Sequence, residues 1–353
     1  MSGNRGEWSE LYVFLRLLAE GRVYAADEKV ERIDTIFYPI LHIVREEIKD
    51  RKLFYVIGDE DVSVTDGHDT LMTVSRKVMG ARADELLNGI QNGSGTFELS
   101  NTAEFANGIR VTKIKAPSRD KTDIQMRIED RYVNSVQDVG FSVKSELGNS
   151  PTLLNASPAT NFIYAVDGLE TCDIEAINNI NDKNNKIVKR CSAILNRGGK
   201  LRFVGMDNDT FRGNLELIDS RMPEIVAAML EYHYTENVKT CSELVSMLEE
   251  RNPMGFGRPL MYDFKIKRLL SAVALGMRPA DEWDGRDEAN GGYVIVRVDG
   301  EILVYHIYNR NAFEQYLLSN TVLERGSTHR HKYMHLYEEN GEIRLKLNLQ
   351  IRF

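Results

Sequence analysis

Three side chains in two neighbouring segments have the types needed for metal-assisted phosphodiester hydrolysis: Asp123, Ser142 and Lys144. A carboxylate such as that of Asp123 supplies a hard oxygen ligand for a divalent cation, and the adjacent segment can add the backbone carbonyl of Val143. Such a cation neutralises charge on the scissile phosphate and lowers the cost of forming hydroxide nearby. Lys144 can orient or deprotonate the attacking water. The spacing alone also fits the solvated face of an ordinary hairpin, so both interpretations stay open here.

Two alternating segments must position these residues. Residues 123–128 and 139–146 each alternate polar with apolar side chains, which is the pattern of a half-buried strand. Because a connection of about ten residues separates the segments, we predict an antiparallel pair. One side of this pair is apolar and faces a core, while the other side carries the charged and hydroxyl groups, including Glu146.

A predicted amphipathic helix from Arg5 to Glu20 carries two further acidic candidates, Glu7 and Glu10. Apolar side chains at helical spacing form its buried stripe: Trp8, Leu11, Leu15 and Leu18. A glutamate at the margin of a buried helix face can reach a metal held by a neighbouring sheet, and Glu7 lies closer to the stripe. The alternative is that both acids are favoured near the helix start by the helix dipole.

Two polar segments are predicted to contact DNA. Segment 152–161 has amide and hydroxyl groups that can donate to phosphates and base edges: Asn155, Ser157, Thr160 and Asn161. Segment 324–333 combines basic, imidazole and hydroxyl groups: Arg325, Ser327, Thr328, His329, Arg330, His331, Lys332 and Tyr333. The alternatives are a capped turn for the first segment and a solvated loop for the second. A zinc site on the C-terminal histidines lacks a supporting cysteine or carboxylate spacing.

The composition is that of a globular protein without a global basic surface. Lys and Arg total 45 against 53 Asp and Glu, and the resulting net charge of −8 argues against a purely electrostatic nucleic-acid binder. The cysteines form no CxxC pair, which excludes a disulfide framework and a cysteine-based zinc site. The longest apolar stretch, 269–277, is too short to span a membrane, and the N-terminus has no apolar signal core. We therefore expect a cytoplasmic protein.

Strand patterns dominate both ends of the chain and helical patterns fill the middle. This order favours one mixed α/β domain with a helical insertion over two independent domains. Within 1–353 we expect a catalytic core at 1–166, a largely helical region at 167–290 and C-terminal strands at 291–353. Segment 324–335 would form a DNA-contacting loop between the last strands.

Five segments resemble type II restriction endonucleases, and in particular the HpaII-type family. The similarity extends over nearly the whole chain, and the order and spacing of the segments are more specific than any one of them. The segments are GNRGEWSELY at 3–12, KTDIQ at 121–125, GFSVKSELG at 140–148, TLLNAS at 152–157 and LNLQIRF at 347–353.

The resemblance implies the PD-(D/E)xK nuclease fold, in which a mixed sheet flanked by helices carries a metal-binding hairpin beside an N-terminal helix. Asp123 resembles the first acid of the motif and Lys144 the motif lysine, with Asp138 as an alternative to Asp123. Ser142 stands where the second acid usually lies, and a hydroxyl cannot supply the missing negative charge. A glutamate from elsewhere would then complete the metal site, and the candidates are Glu7, Glu10 and Glu146.

The function implied by the resemblance is Mg²⁺-dependent, sequence-specific cleavage of double-stranded DNA. The target would be a short palindrome, with CCGG as the first choice, and the ends would be 5′-phosphate and 3′-hydroxyl. Lys121, beside the first acid, would contact the DNA. A cognate DNA methyltransferase is implied as a functional partner, and a palindromic site suggests a homodimer, although enzymes of this class can act as monomers. The alternatives are a structure-specific nuclease of the same fold and a DNA-binding protein that has lost catalysis.

Overall fold

Strands and helices are mixed along the whole chain in the computed structural model, which describes residues 1–115, 122–131, 134–148, 150–182 and 185–353. The strands are β1 (Ser2–Gly3), β2 (Arg22–Ala26), β3 (Arg32–Ile48), β4 (Arg51–Ile57), β5 (Asp61–Thr65), β6 (Thr70–Ser75), β7 (Phe97–Glu98), β8 (Ile124–Asp130), β9 (Ser135–Ser145), β10 (Thr152–Leu154), β11 (Asn161–Asp167), β12 (Lys200–Met206), β13 (Gly292–Val296), β14 (Ile302–His306), β15 (Val322–Leu323), β16 (Leu336–Glu339), β17 (Glu342–Asn348) and β18 (Ile351–Arg352). The helices are α1 (Arg5–Glu20), α2 (Arg76–Asn92), α3 (Ser100–Gly108), α4 (Thr171–Asn178), α5 (Lys186–Asn196), α6 (Asp209–Ile218), α7 (Met222–Glu236), α8 (Cys241–Arg251), α9 (Met261–Leu275), α10 (Arg310–Asn320) and α11 (Thr328–His331).

The chain forms two compact units. The first comprises Met1–Pro151 and Asp287–Tyr316, and the second comprises Thr152–Arg286 and Leu317–Phe353. These divisions differ from the predicted boundaries at 166 and 290. The physical reason is that β11 pairs with β12 and β17, so it belongs with the later strands and not with the N-terminal segment.

A nine-stranded sheet is the centre of the first unit, in the order β2-β14-β13-β9-β8-β3-β4-β5-β6. The pairs β9–β13 and β2–β14 are parallel, and the other neighbours are antiparallel. The predicted mixed central sheet is therefore confirmed, as is the predicted pairing of the two alternating segments, which form β8 and β9.

Helix α1 packs against β2, β3, β9 and α2, and its bounds are those predicted from the apolar spacing. The side chain of Asn4 accepts a hydrogen bond from the Glu7 N–H, and Glu7 accepts one from the Asn4 N–H, which forms a capping box at the helix start. The helix ends at Gly21 in the left-handed conformation (φ 65°). The four side chains of the predicted stripe are fully buried, and each such burial stabilises the fold by roughly 1.5–3 kcal/mol.

The second unit contains two antiparallel sheets and most of the helices. One sheet has the order β12-β11-β17-β16, and the other has the order β10-β18-β15. Helix α7 packs against β12 and β17 and also contacts α5, α6 and α8. Among the described residues, no helix is both long and apolar enough to cross a membrane.

Candidate active site

Asp123 is held against β9 by three hydrogen bonds, two of which its carboxylate accepts. Its own N–H donates to the carbonyl of Phe141 at 2.9 Å, which continues the β8–β9 ladder by one step. Its Oδ2 then accepts the Val143 N–H at 2.8 Å and the Ser142 hydroxyl at 3.0 Å. Because one donor is backbone and the other belongs to a buried side chain, the carboxylate orientation is fixed before any ligand binds.

The register of this hairpin is fixed by close packing around Gly140. A Cβ at this position would lie 2.5 Å from Cγ2 of Thr122, so only glycine fits beside that side chain. The Gly140 N–H donates to Oδ1 of Asn290 at 2.9 Å, and the Thr122 hydroxyl donates to the carbonyl of Glu288 at 3.2 Å. The hydrogen bond to Glu288, in the segment before β13, therefore holds Thr122, the residue that precedes Asp123.

Lys144 is half-buried on β9, and its Nζ lies 5.3 Å from the ring centroid of Tyr293 on the adjacent parallel strand. Burial lowers the pKa of this ammonium group, and the carboxylates of Asp123 and Glu10 act in the opposite direction. Lys115 adds to the lowering by repulsion. Asp123, which directly precedes β8, and Glu10 on α1 thus both act on the lysine with negative charge.

A cavity of about 770 Å³ opens at Lys144. Three elements of the first unit line it: the start of α1, the segment after α2, and the end of β9. The lining residues are Asn4, Arg5, Gly6, Glu10, Ser94, Gly95, Thr96, Val143, Lys144, Ser145, Gly148 and Pro151. Asp123 joins this site through its hydrogen bond to Val143.

The oxygen atoms at this site fit a magnesium ion. Mg²⁺ prefers carboxylate and carbonyl oxygens together with water, and Asp123 and Glu10 supply two carboxylates. The Val143 carbonyl points to the same side of β9 as its N–H, hence toward Asp123, and it lies beyond the last β8–β9 pair at Phe141. Among the described residues, no three His, Cys, Asp or Glu side chains form a metal cluster. The candidate ligands for a cation here are therefore two acids and one carbonyl, with solvent to complete the coordination.

Comparison with known proteins identifies the family. The HpaII restriction endonuclease family matches residues 4–353. The type II restriction enzyme HpaII of Haemophilus parainfluenzae is 38% identical over 359 residues, covering 100% of this chain and 98% of the relative. This chain belongs to the HpaII restriction endonuclease family. It is a type II restriction enzyme, a site-specific deoxyribonuclease. No solved structure matches it.

The structure distinguishes the three glutamates that were predicted to assist Asp123 and Lys144. Glu10 lines the cavity with Lys144, whereas Glu7 is engaged in the capping box of α1. Glu7 lies nearer the apolar stripe, which predicts that it reaches a metal on the sheet, but its carboxylate turns back to the Asn4 N–H. Glu146 is exposed at the end of β9, where its N–H donates to the carbonyl of Val296 at 2.8 Å.

Asp138, the alternative to Asp123, is exposed on β9 and does not line the cavity at Lys144. Its carboxylate pairs with Arg127 at 2.7 Å and lies 3.8 Å from Nε2 of His42. Because Asp138 is cross-strand from Arg127, the pair stabilises the β8–β9 ladder locally. Asp123, in contrast, accepts a hydrogen bond from the residue that directly precedes Lys144.

The predicted DNA contacts at 155–161 lie in the second unit, and two of them are buried there. Thr160 and Asn161 hydrogen-bond with Asn348, and Asn161 also donates to the carbonyl of His331 at 3.0 Å. Ser157 and Thr160 form a capping box, so the alternative of a capped turn describes this segment well. Asn155 is exposed.

The C-terminal segment 324–333 also divides into buried and exposed groups. The Arg325 guanidinium donates to the carbonyl of His233 at 2.6 Å, and buried Tyr333 donates to the carbonyl of Gly326 at 2.8 Å. Ser327 caps the short helix α11, which occupies part of the predicted loop. Of the remaining predicted contacts, Thr328 and His331 are half-buried, and His329, Arg330 and Lys332 are exposed. Lys121 lies outside the described residues.

Proposed function

We propose that this chain is a Mg²⁺-dependent endonuclease of the PD-(D/E)xK type that cleaves double-stranded DNA at a short palindrome, with CCGG as the first candidate. One observation carries the proposal: the Asp123 carboxylate accepts the Val143 N–H at 2.8 Å, directly beside Lys144. The hairpin thereby joins an oriented acid and a half-buried lysine, the two groups that phosphodiester hydrolysis with a divalent cation requires.

Each residue of the site has a distinct part in this mechanism. Asp123, Glu10 and the Val143 carbonyl would hold Mg²⁺, which when bound neutralises the phosphate charge and lowers the pKa of nearby water. Lys144 donates hydrogen bonds that orient the attacking water against the scissile phosphorus. Ser142 keeps the Asp123 carboxylate in place, and Glu10 supplies the negative charge that a serine lacks. Attack and departure of the 3′-oxygen leave 5′-phosphate and 3′-hydroxyl ends.

Replacement of Glu10 with glutamine is expected to increase the Mg²⁺ concentration that gives half-maximal cleavage by about tenfold or more, because one ligand charge is lost. Glu7→Gln is the matched control on the same helix. A glutamine at this position still accepts the Asn4 N–H, so the Mg²⁺ requirement should stay at the wild-type value. The measurement is the initial cleavage rate across a Mg²⁺ titration. An unchanged titration for Glu10→Gln would remove this residue from the metal site.

Base recognition would use exposed groups of the second unit. Arg330 and Lys332 can contact guanine edges and phosphates, and Asn155 and His329 can add further hydrogen bonds. A homodimer would match the two-fold symmetry of a palindrome. A cognate DNA methyltransferase would protect the host genome from cleavage.

Digestion of unmethylated phage DNA tests the proposed function. Incubation with Mg²⁺ should give discrete fragments, incubation with EDTA should give intact DNA, and sequencing of the fragment ends should reveal CCGG and the cut position. Discrete fragments with a different common end sequence would overturn the CCGG assignment alone. A uniform smear would indicate a non-specific or structure-directed nuclease, and DNA that is shifted on a gel but never cut would indicate a binding protein.

A further inference from the structure

The segment Ser94–Thr96 forms part of the wall of the active-site cavity, and nothing in the proposed mechanism uses it. It follows the end of α2, and all three of its residues are exposed. Gly95 is in the left-handed conformation (φ 63°), and a Cβ there would meet no atom within 4 Å. The segment thus faces open space on the same cavity as Lys144.

Both ends of this segment are held by residues of α1. The Arg5 guanidinium donates from Nε to the Gly93 carbonyl at 2.9 Å and from Nη2 to the Gln91 carbonyl at 3.1 Å. The Trp8 indole donates to the Phe97 carbonyl at 3.2 Å, and the two rings stack with centroids 6.2 Å apart. The exposed segment Ser94–Thr96 therefore connects two residues, Gly93 and Phe97, whose carbonyls are held by α1.

Arg5 also connects the segment Ser94–Thr96 to the chain that follows β9, the strand that carries Lys144. Its Nη1 donates to the Leu147 carbonyl at 3.1 Å, three residues beyond Lys144. One planar guanidinium thus sets the separation between Ser94–Thr96 and the end of β9, which a flexible ammonium group could not do with the same precision.

The chemistry of the segment suits a phosphodiester backbone. Gly93 to Phe97 contains two hydroxyl side chains and no acid, so it presents neutral donors without repelling an anion. Hydroxyl and backbone N–H groups are common partners of DNA phosphates. A DNA strand whose scissile phosphate lies at Lys144 would extend within the same cavity past this wall.

We propose that Ser94–Thr96 binds a backbone phosphate of the cleaved strand next to the scissile phosphodiester, and that Arg5 is the positioning residue that holds this segment. The proposal rests on the proposed function, because it places the DNA strand at Lys144. It adds a phosphate-binding element that is separate from the metal ligands.

Two variants of the segment test the proposal, with initial rates of phage DNA digestion measured over a range of DNA concentrations. Removal of both hydroxyls in the double variant Ser94→Ala, Thr96→Ala should raise KM about tenfold or more and leave kcat within threefold, because hydrogen bonds to charged groups are lost. Ser94→Glu should raise KM further by repulsion. Asn92→Glu adds the same charge at an exposed position outside the cavity lining and should stay within threefold of wild type.

Arg5→Lys provides the test of positioning. It keeps the charge but cannot span three carbonyls in one plane, so KM should rise as in the double alanine variant while the melting temperature identifies any general loss of stability. Unchanged KM values for the alanine and glutamate variants, or an equal effect of Asn92→Glu, would overturn the proposal. Asp123→Asn, measured in parallel, distinguishes failure of this inference from failure of the proposed function. If Asp123→Asn is inactive while the segment variants cleave normally, only this inference fails. If Asp123→Asn is active, the proposed active site itself fails.

Discussion

Replacement of Lys144 with methionine is expected to reduce the cleavage rate by roughly 10²–10³-fold, the range for removal of one preorganised hydrogen-bond donor from an active site. Methionine keeps the length and apolar contacts of the side chain against the Tyr293 ring but removes the ammonium group that orients water. DNA binding, measured by gel shift with Ca²⁺ in place of Mg²⁺, should stay within about threefold of wild type, since loss of one charge contact is a small part of a DNA interface.

Lys77→Met is the matched control for this substitution. Lys77 is an exposed lysine at the start of α2 and does not line the cavity. Its replacement should leave the cleavage rate unchanged. Cleavage by Lys144→Met within tenfold of the control would contradict the role given to Lys144, whereas parallel losses of cleavage and DNA binding would indicate a binding role instead.

Replacement of Asp123 with asparagine is expected to lower the cleavage rate by roughly 10³-fold, because the site loses a ligand charge that is worth several kcal/mol to the transition state. Asparagine has nearly the same shape and can still accept the Val143 N–H, so the melting temperature should change little. Single-turnover cleavage with excess enzyme measures the chemical step directly.

Asp138→Asn distinguishes the two acids considered for the first motif position. The Asp138–Arg127 pair is solvent-exposed, and exposed ion pairs contribute about 0–1 kcal/mol to stability. Asp138→Asn should therefore cleave DNA at nearly the wild-type rate. The assignment would be reversed if Asp138→Asn were inactive and Asp123→Asn remained active.

The catalytic hairpin and the first helix could be predicted from the sequence because their signals are local. Alternation specified both strands of the β8–β9 pair, and helical spacing gave the bounds of α1. The capping role of Glu7 is also predictable from the sequence, because Asn4 followed three residues later by a glutamate is a capping-box pattern. The helix dipole alone favours an acid at this position and does not specify the reciprocal bond with Asn4.

Other parts of the first unit could not be predicted because their partners are distant in the sequence. The long strand β3 contains Pro39 and many charged residues, which obscure its alternation, and pairing with β2, β4 and β8 determines it. Strand β5 is flanked by Gly and Asp residues, which are typical of turns, yet it pairs with β4 and β6. Arg5 bonds carbonyls at 91, 93 and 147, and no spacing near Arg5 indicates them.

The last segment, 343–353, forms two strands although its hydrophobic pattern continues without interruption. Residues 343–353 alternate polar with apolar side chains throughout, but β17 ends at Asn348 and β18 begins at Ile351. The two strands belong to different sheets, because β17 pairs with β11 and β16 while β18 pairs with β10 and β15. Alternation specifies which side chains face a core, and it does not specify which sheet receives them.

A crystal structure of Lys144→Met with Ca²⁺ and a duplex containing the site found by phage DNA digestion tests the central claim most directly. Ca²⁺ binds oxygen ligands at about 2.3–2.6 Å, so its position identifies the metal ligands without supporting rapid turnover. We expect the ion between Asp123, Glu10 and the Val143 carbonyl, with the scissile phosphate beside it. An ion bound at Glu7, Asp138 or Glu146, or a scissile phosphate remote from Asp123, would contradict the account.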